Sequence, residues 1–362
     1  MMKKKVGTKN PVEPVEVKRG KKKEVILINW LCYILFPSAM SQQNLAASLF
    51  LSTFLSVFAS QYNGPKVILG TGGGGGGFNA PDWIANGGNG FNMALAYCYT
   101  QFTPQCSQVT VANAVSAANL KNPFYVTKIE PEDMGPTSSI WGFVRPVTRD
   151  VLSELNINKI DVLAWHQAGR DESASNYRPP CFNASAAGPT GPGSYAACRI
   201  QGYQALIDIQ TAGGATTIGV SNYDQNQLQQ LYDALSIWPE ILEIEIHPYY
   251  LNTDLVTFAM QRNITLLAYA PLAIGNRYGL LSEPVVLAAA TAHNCTPAQV
   301  IIKWHMQYHN GVVLPRSTNS SHMIENLSAI SLPFTLTADE MTSLSSLPQK
   351  PKLYGTSCTP FC

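Results

Sequence analysis

Past its first few dozen residues this chain has little charge, and least of all positive charge. Nine of its 24 Lys and Arg residues fall within the first 23 positions, so the body beyond residue 60 carries 15 bases against 20 acids, a balance of about −5. A nucleic-acid surface needs clustered Lys and Arg, so no nucleic-acid partner is expected. No Cys-x-x-Cys pair occurs among the eight cysteines. A thiolate zinc site is therefore not expected, nor is any other metal. A helix-opening dinucleotide fingerprint is lacking as well. Gly70-Thr-Gly72 running into Gly73–Gly77 satisfies Gly-x-Gly-x-x-Gly only because nearly every position is glycine. Phe78-Asn-Ala-Pro81 follows where a helix should open, and position 95, where an acid is wanted, is leucine.

An unbroken apolar run of membrane-spanning length is also missing from the N-terminal region. Val25–Phe36 ends at Pro37, and Leu45–Ala59 begins after the polar Ser41-Gln-Gln-Asn44. Each half is short against the roughly 20 residues that a span requires. Val57-Phe-Ala59 has the small-residue pattern of a signal cleavage site, and Met40 would start a leader of ordinary length. The expectation is a secreted or secretory-pathway protein, with an uncleaved N-terminal membrane anchor as the alternative. The lysine-rich residues 1–23 read as a polar extension. The expected organisation is an extension and leader over 1–60, a folded body over 61–345 and a tail over 346–362. Cys181 and Cys198 flank a Pro/Gly/Ala/Ser-rich insertion and are the expected disulfide. Glycosylation sequons stand at Asn183, Asn263, Asn294, Asn319 and Asn326.

From about residue 92 onward, strand-like apolar runs alternate with segments carrying apolar residues at helical spacing. The predicted strands are Asn92–Ala96, Phe124–Lys128, Ile160–Trp165, Thr216–Val220, Leu242–Ile246, Thr265–Ala268, Gly311–Leu314 and Ser328–Leu332. Between them lie helical candidates such as Gly202–Ala212, Gln225–Ser236 and Pro297–His309, the last opened by Thr296 as N-cap with proline at the first helical position. This rhythm predicts a parallel sheet. Eight strands predict an α/β fold closed as a (β/α)8 TIM barrel.

Short polar strings follow the apolar runs in a fixed order: Asp161-Val-Leu-Ala-Trp-His166, Ile218-Gly-Val-Ser-Asn222, Glu243-Ile-Glu-Ile-His-Pro248, Ala268-Tyr-Ala-Pro-Leu272, Pro315-Arg-Ser317 and Glu325-Asn326. Their reactive side chains sit at strand ends, where a barrel of this kind keeps its active site. The order resembles the aldo-keto reductase family over roughly residues 62–345. The resemblance implies a monomeric NADPH-dependent oxidoreductase that reduces an aldehyde or ketone by hydride transfer, with a small-molecule carbonyl compound as substrate. The family's first-strand string, Asp-Thr-Ala-x-x-Tyr, is matched to Ala94-Leu-Ala-Tyr-Cys-Tyr99. On that match Tyr99 is the general acid, Lys128 tunes it and His166 orients the carbonyl. Each alone would be an ordinary structural residue; in family order on successive strands they point to chemistry. Gly70-Thr-Gly72 resembles the family's opening strand and loop.

The same match puts Ala94 where the family has its catalytic Asp. A buried Lys without a carboxylate tends to lose its proton, so either turnover is weakened or an acid from elsewhere substitutes. Glu130 and Glu132 follow Lys128 closely in the chain. For the cofactor, the resemblance implies that Ser221 and Asn222 hold the nicotinamide carboxamide and that Tyr269 stacks on its ring, with Leu272 closing the same string. Glu243 stands where Gln is usual, and a carboxylate accepts hydrogen bonds but cannot donate them. Arg316 and Ser317 stand at the family's 2′-phosphate grip, His322 replaces its next Arg, and Glu325 and Asn326 match the pair near the adenine. This set favours NADPH over NADH, and a cofactor contact at Asn326 argues against a glycan there. The competing reading is a catalytically silent barrel that binds a nucleotide or another ligand.

Overall fold

The computed structural model describes residues 62–72, 77–97, 107–130, 141–168, 194–276 and 278–354, all within one compact unit. The expected leader and anchor, Tyr99, Glu132, Asn183 and Cys181 lie outside these residues. Cys198, the other half of the expected bridge, is disulfide-bonded.

Eight parallel strands form one sheet in chain order: β1 (Leu69–Gly70), β2 (Gly90–Asn92), β3 (Phe124–Ile129), β4 (Ile160–Trp165), β5 (Ala215–Ser221), β6 (Ile241–Glu245), β7 (Thr265–Tyr269) and β8 (Val312–Leu314). A parallel bridge between Val67 and Val313 joins the first strand region to the last. There Ile68 N donates to Val313 O at 3.0 Å and Val313 N to Lys66 O at 2.9 Å. The sheet is thus a nearly closed barrel, as the alternation predicts. Parallel neighbours need long crossovers. Helices supply them: α1 (Ala80–Ala85), α2 (Ser107–Ala117), α3 (Trp141–Leu155), α4 (Tyr195–Thr211), α5 (Gln225–Leu235), α6 (Thr253–Met260), α7 (Ala273–Asn276), α8 (Pro284–Ala292), α9 (Pro297–Tyr308), α10 (Ser320–Ser328) and α11 (Ala338–Ser345). Helix α9 starts as predicted. The Thr296 side chain accepts from Gln299 N, the Gln299 side chain returns to the Thr296 backbone, and Pro297 occupies the first turn.

Two of the predicted strands need correcting. Ser328–Leu332 is not a strand: it begins on the last residue of α10, a helix capped at its start by Asn319. The eighth stave is instead supplied at the front by the two-residue β1, which is too short to give a periodic signal and leads into the glycine run. The segment predicted as strand over Asn92–Ala96 leaves the sheet after Asn92 and winds into a 3-10 turn over Leu95–Tyr97.

The two-residue period of the strands sorts side chains between the lumen and the helical layer. Ile68, Val126, Val162, Ile241, Leu267, Val312 and Leu314 form a cluster of their own inside the barrel. A separate and larger core, with Trp83, Phe91, Leu163, Trp165, Leu206 and Ile301 among its members, fills the space between strands and helices. Two residues further along three of the inward rows the character changes. Val126 leads to Lys128 and Glu130, Ile241 to Glu243 and Glu245, and Leu267 to Tyr269. The lower lumen is therefore oily and the upper lumen reactive. Strands β5 and β6 also approach closely at the Gly219–Ile241 pair. A Cβ at Gly219 would lie 2.6 Å from both Cβ and the carbonyl oxygen of Ile241. We expect Gly219→Ala to cost about 1–3 kcal/mol by overpacking, read as a lower urea midpoint at unchanged slope.

Candidate active site at the carboxyl end of the barrel

Lys128 is the centre of the site. It is fully buried and held from two sides. Its Nζ donates to Asn92 Oδ1 at 2.5 Å, across from β2. From β6, both carboxylate oxygens of Glu243 approach it, at 3.0 and 3.1 Å. Above it stands Tyr97, on the turn that follows β2, with its ring centroid 5.6 Å from Lys128 Nζ. Met93 N donates to Val126 O, which carries the chain out of β2 along β3, and Tyr97 N then closes the turn on Ala94 O. The Tyr97 ring also packs edge-on to the His166 imidazole, 5.5 Å between centroids. His166 leaves the end of β4 and pairs through Nδ1 with the Glu130 carboxylate, so Nε2 is the ring nitrogen left towards the cavity.

These contacts revise the reading of the first strand. Tyr99 lies outside the described residues; among the described residues the tyrosine beside Lys128 and His166 is Tyr97. Ala94 is buried, but the position that faces Lys128 is Asn92. The family string also fits two residues earlier than the match on Ala94–Tyr99, and the contacts of Asn92 and Tyr97 with Lys128 support that register. On Asn92-Met-Ala-Leu-Ala-Tyr97 both its alanine and its tyrosine are matched, with Asn in place of Asp. Of the acids considered from sequence, Glu130 serves His166 and Glu132 lies outside the described residues. Glu243, expected from sequence as a cofactor contact, is the carboxylate that meets Lys128.

Burial pushes the Tyr97 phenol well above its ordinary range; Glu243, Glu130 and Tyr354 add to the rise, and Arg316 opposes it. Glu243 and Glu130 oppose loss of the proton, because a phenolate would sit among carboxylates. The phenol therefore stays protonated through neutral pH and holds a proton to give.

Above this floor opens a cavity of about 500 Å³, lined by Tyr97, Asn92, His166 and all ten residues that the resemblance implied for a nucleotide. At one wall, Ser221 ends β5 fully buried, and Asn222 follows with φ +60°, a left-handed conformation that Asn tolerates. Asn222 Nδ2 donates to His166 O and Ser221 Oγ, while its Oδ1 accepts from Tyr269 OH at 2.7 Å. Leu272 lies beyond Tyr269, after β7. Past the end of β8, next round the barrel, Arg316 Nη1 donates to Gly72 O at 2.8 Å. Ser317 Oγ accepts from Asn319 N. His322, Glu325 and Asn326 follow on α10. Asn326 is buried and its Oδ1 has no hydrogen-bond partner. A buried acceptor left unpaired is costly, and an amino group of a bound base would satisfy it. The donor set thus fits a dinucleotide. The same burial makes Asn326 a poor glycan acceptor, whereas Asn263, Asn294 and Asn319 are exposed.

The C-terminal segment completes the wall, and nothing in the sequence signalled it. Glu245, fully buried, accepts from Leu353 N at 2.7 Å and Tyr354 N at 3.1 Å. His247 Nε2 sits 3.2 Å from the same carboxylate. Tyr354 then packs edge-on to Tyr269 within the cavity, and Lys352 Nζ reaches Asn222 Oδ1 at 3.3 Å. Among the described residues no cluster of His, Cys, Asp and Glu could hold a metal ion.

The sequence profile of the Aldo/keto reductase family matches residues 82–348. An aldo/keto reductase of Synechocystis sp. is 28% identical over 265 residues, covering 67% of this chain and 76% of that protein. The mouse aldo-keto reductase family 1 member A1 is 28% identical over 230 residues, covering 60% of this chain and 68% of that protein. Among solved structures, the aldose reductase of Schistosoma japonicum superposes with a TM-score of 0.63 at 24% identity, covering 80% of this chain and 90% of that one.

Proposed function

The chain belongs to the aldo/keto reductase family, and from that premise we propose that it reduces aldehydes or ketones to alcohols with NADPH, Tyr97 serving as the proton donor. The observation that carries this reading is the meeting of Tyr97, Lys128 and His166 at the floor of a cavity whose walls hold a nucleotide-fitting set of side chains. A nicotinamide bound there would supply the hydride. The chain's own groups do the rest. The Tyr97 hydroxyl gives its proton to the carbonyl oxygen as negative charge builds on it. His166, fixed through Nδ1 by Glu130, presents Nε2 to the same oxygen. The Lys128 ammonium beneath stabilises the negative charge left on the phenol oxygen. Ser221 and Asn222 offer polar groups to a carboxamide, and Tyr269 a face for a ring.

Selectivity for the phosphorylated cofactor would lie at Arg316, whose guanidinium can take a phosphate by two parallel hydrogen bonds, with Ser317 and His322 beside it. Lys352, Tyr354 and Gln167 line or border the substrate side, so the substrate is a carbonyl compound able to meet polar as well as aromatic surface. The competing reading is a silent nucleotide binder, and it is separable. Purified protein mixed with NADPH should quench tryptophan fluorescence and then consume the cofactor's absorbance when a reactive aldehyde is added. Quenching without consumption would leave only the binder.

Three variants test the assignments. Tyr97→Phe should lower kcat by about 10²–10⁴-fold, while Tyr99→Phe keeps most activity; the reverse pattern would move the acid back to Tyr99. Because the phenol is held above its ordinary value of about 10, the reduction rate should stay level through neutral pH and fall only in strong alkali. Arg316→Ala should raise KM for NADPH about 10–100-fold, the loss of one or two charge-assisted hydrogen bonds, and leave KM for NADH nearly unchanged. Equal effects on both cofactors would place the 2′-phosphate elsewhere.

A further inference from the structure

Lys128 is shut away from solvent and meets a single anion. Its ammonium carries three donors and one positive charge. Two residues facing each other across the lumen supply oxygens: Asn92 from β2 at 2.5 Å and Glu243 from β6 at 3.0 and 3.1 Å. Either position could in principle carry the negative charge, since both are buried and both reach the same nitrogen. Glu130, the carboxylate two residues along from Lys128, pairs with His166. We propose that Glu243 is the positioning residue that keeps Lys128 charged beneath Tyr97, so that the charge usually expected on β2 has moved across the barrel to β6 and Asn92 is its neutral complement. This inference rests on the carbonyl-reductase reading for its effect on rate, but its charge assignment can be measured without turnover.

The position is not interchangeable with an amide. Replacing the carboxylate by its isosteric amide would leave a cation fully buried with neutral partners, the costly case for a desolvated ammonium. Lys128 would then shed its proton and present a neutral amine to Tyr97. Moving the carboxylate back to β2 in the same protein would restore one anion to one cation with no change in side-chain volume. The other titratable groups about this floor, among the described residues, are Tyr97, Tyr269, Tyr354, Glu245 with His247, the His166–Glu130 pair and Arg316, and the swap changes none of them.

The test compares wild type, Glu243→Gln and the double exchange N92D/E243Q, each labelled at lysine Cε with 13C. The Lys128 resonance is identified as the one absent from Lys128→Arg. In E243Q this resonance should move to its neutral-amine position at a lower pH than in wild type, and kcat should fall by about 10²-fold. In N92D/E243Q both should return towards wild type. A purely structural role for Glu243 would not be rescued by an aspartate on the opposite strand. An unchanged Lys128 titration in E243Q would overturn the proposal, as would a correctly folded double exchange that behaves like E243Q. If E243Q does not fold, the double exchange alone decides: a wild-type titration supports the relocation, and a shifted one sinks it. If the wild-type protein neither quenches with NADPH nor reduces an aldehyde, the functional reading fails, while the lysine titration still shows which strand supplies the counter-charge.

Discussion

A buried ammonium group on the barrel axis sets the terms for everything around it. Removing such a charge from water costs several kcal/mol after relaxation, and the cost is offset only by nearby oxygens and an opposite charge. Lys128 takes its oxygens from β2 and β6, staves on different sides of the lumen. Those two strands must therefore hold their height relative to β3, and the parallel register that ties each stave to the next does so. A slip of one residue in any of them would turn the reactive row outward into the helical layer. The barrel is in this sense a clamp on one nitrogen, and Tyr97 and His166 are arranged about the charge so held.

Three carboxylates share that upper lumen, and their coexistence needs explaining in a body so sparing of charge. Glu243 faces Lys128, Glu130 faces His166, and Glu245 takes two backbone N–H groups of the C-terminal segment with His247 alongside. Like charges in one low-dielectric space raise each other's energy. Separate partners keep the three from competing for a single cation. The strand period explains their number. Because one inward row rises two residues at a time, β3 presents both Lys128 and Glu130, and β6 both Glu243 and Glu245. The lower member of each pair serves the chemistry below Tyr97. The upper member of each pair holds a neighbouring group, Glu130 the His166 imidazole and Glu245 the backbone of residues 353 and 354.

Long strands with helices between them are legible because their periodicity is repeated over many residues. Seven of the eight predicted strands overlap real staves, and the side chains expected from sequence to meet a cofactor line one cavity. What is not legible has a physical cause in each instance. Stave β1 has two residues, too few to show a period. Tyr97 is hard to tell from Tyr99 because Tyr97-Cys-Tyr99 offers two phenols, and the substitution of Asn for Asp removes the charge that would fix the register. Glu243 reads as a cofactor contact because sequence gives no distance between β3 and β6. The contacts of Glu245 with residues 353 and 354 bridge more than a hundred positions and rest on backbone donors, which no side-chain pattern can announce.

The glycine run, uninformative as a fingerprint, has a steric reason at Gly72. Any Cβ there would come within 2.0 Å of a Tyr97 ring carbon, so a side chain would drive the phenol off Lys128. The Gly72 carbonyl meanwhile accepts from Arg316. One backbone unit thus touches the Tyr97 phenol on one side and the Arg316 guanidinium on the other. A loop able to approach both must be lean, and glycine is the residue that lets backbone come so near a ring and a guanidinium at once. Gly72 is therefore a spacer whose thinness leaves room for the Tyr97 ring. It meets one requirement of a dinucleotide fingerprint, close backbone approach, and helix α1 opens just beyond the run, with Asn79 as its N-cap and Pro81 in its first turn.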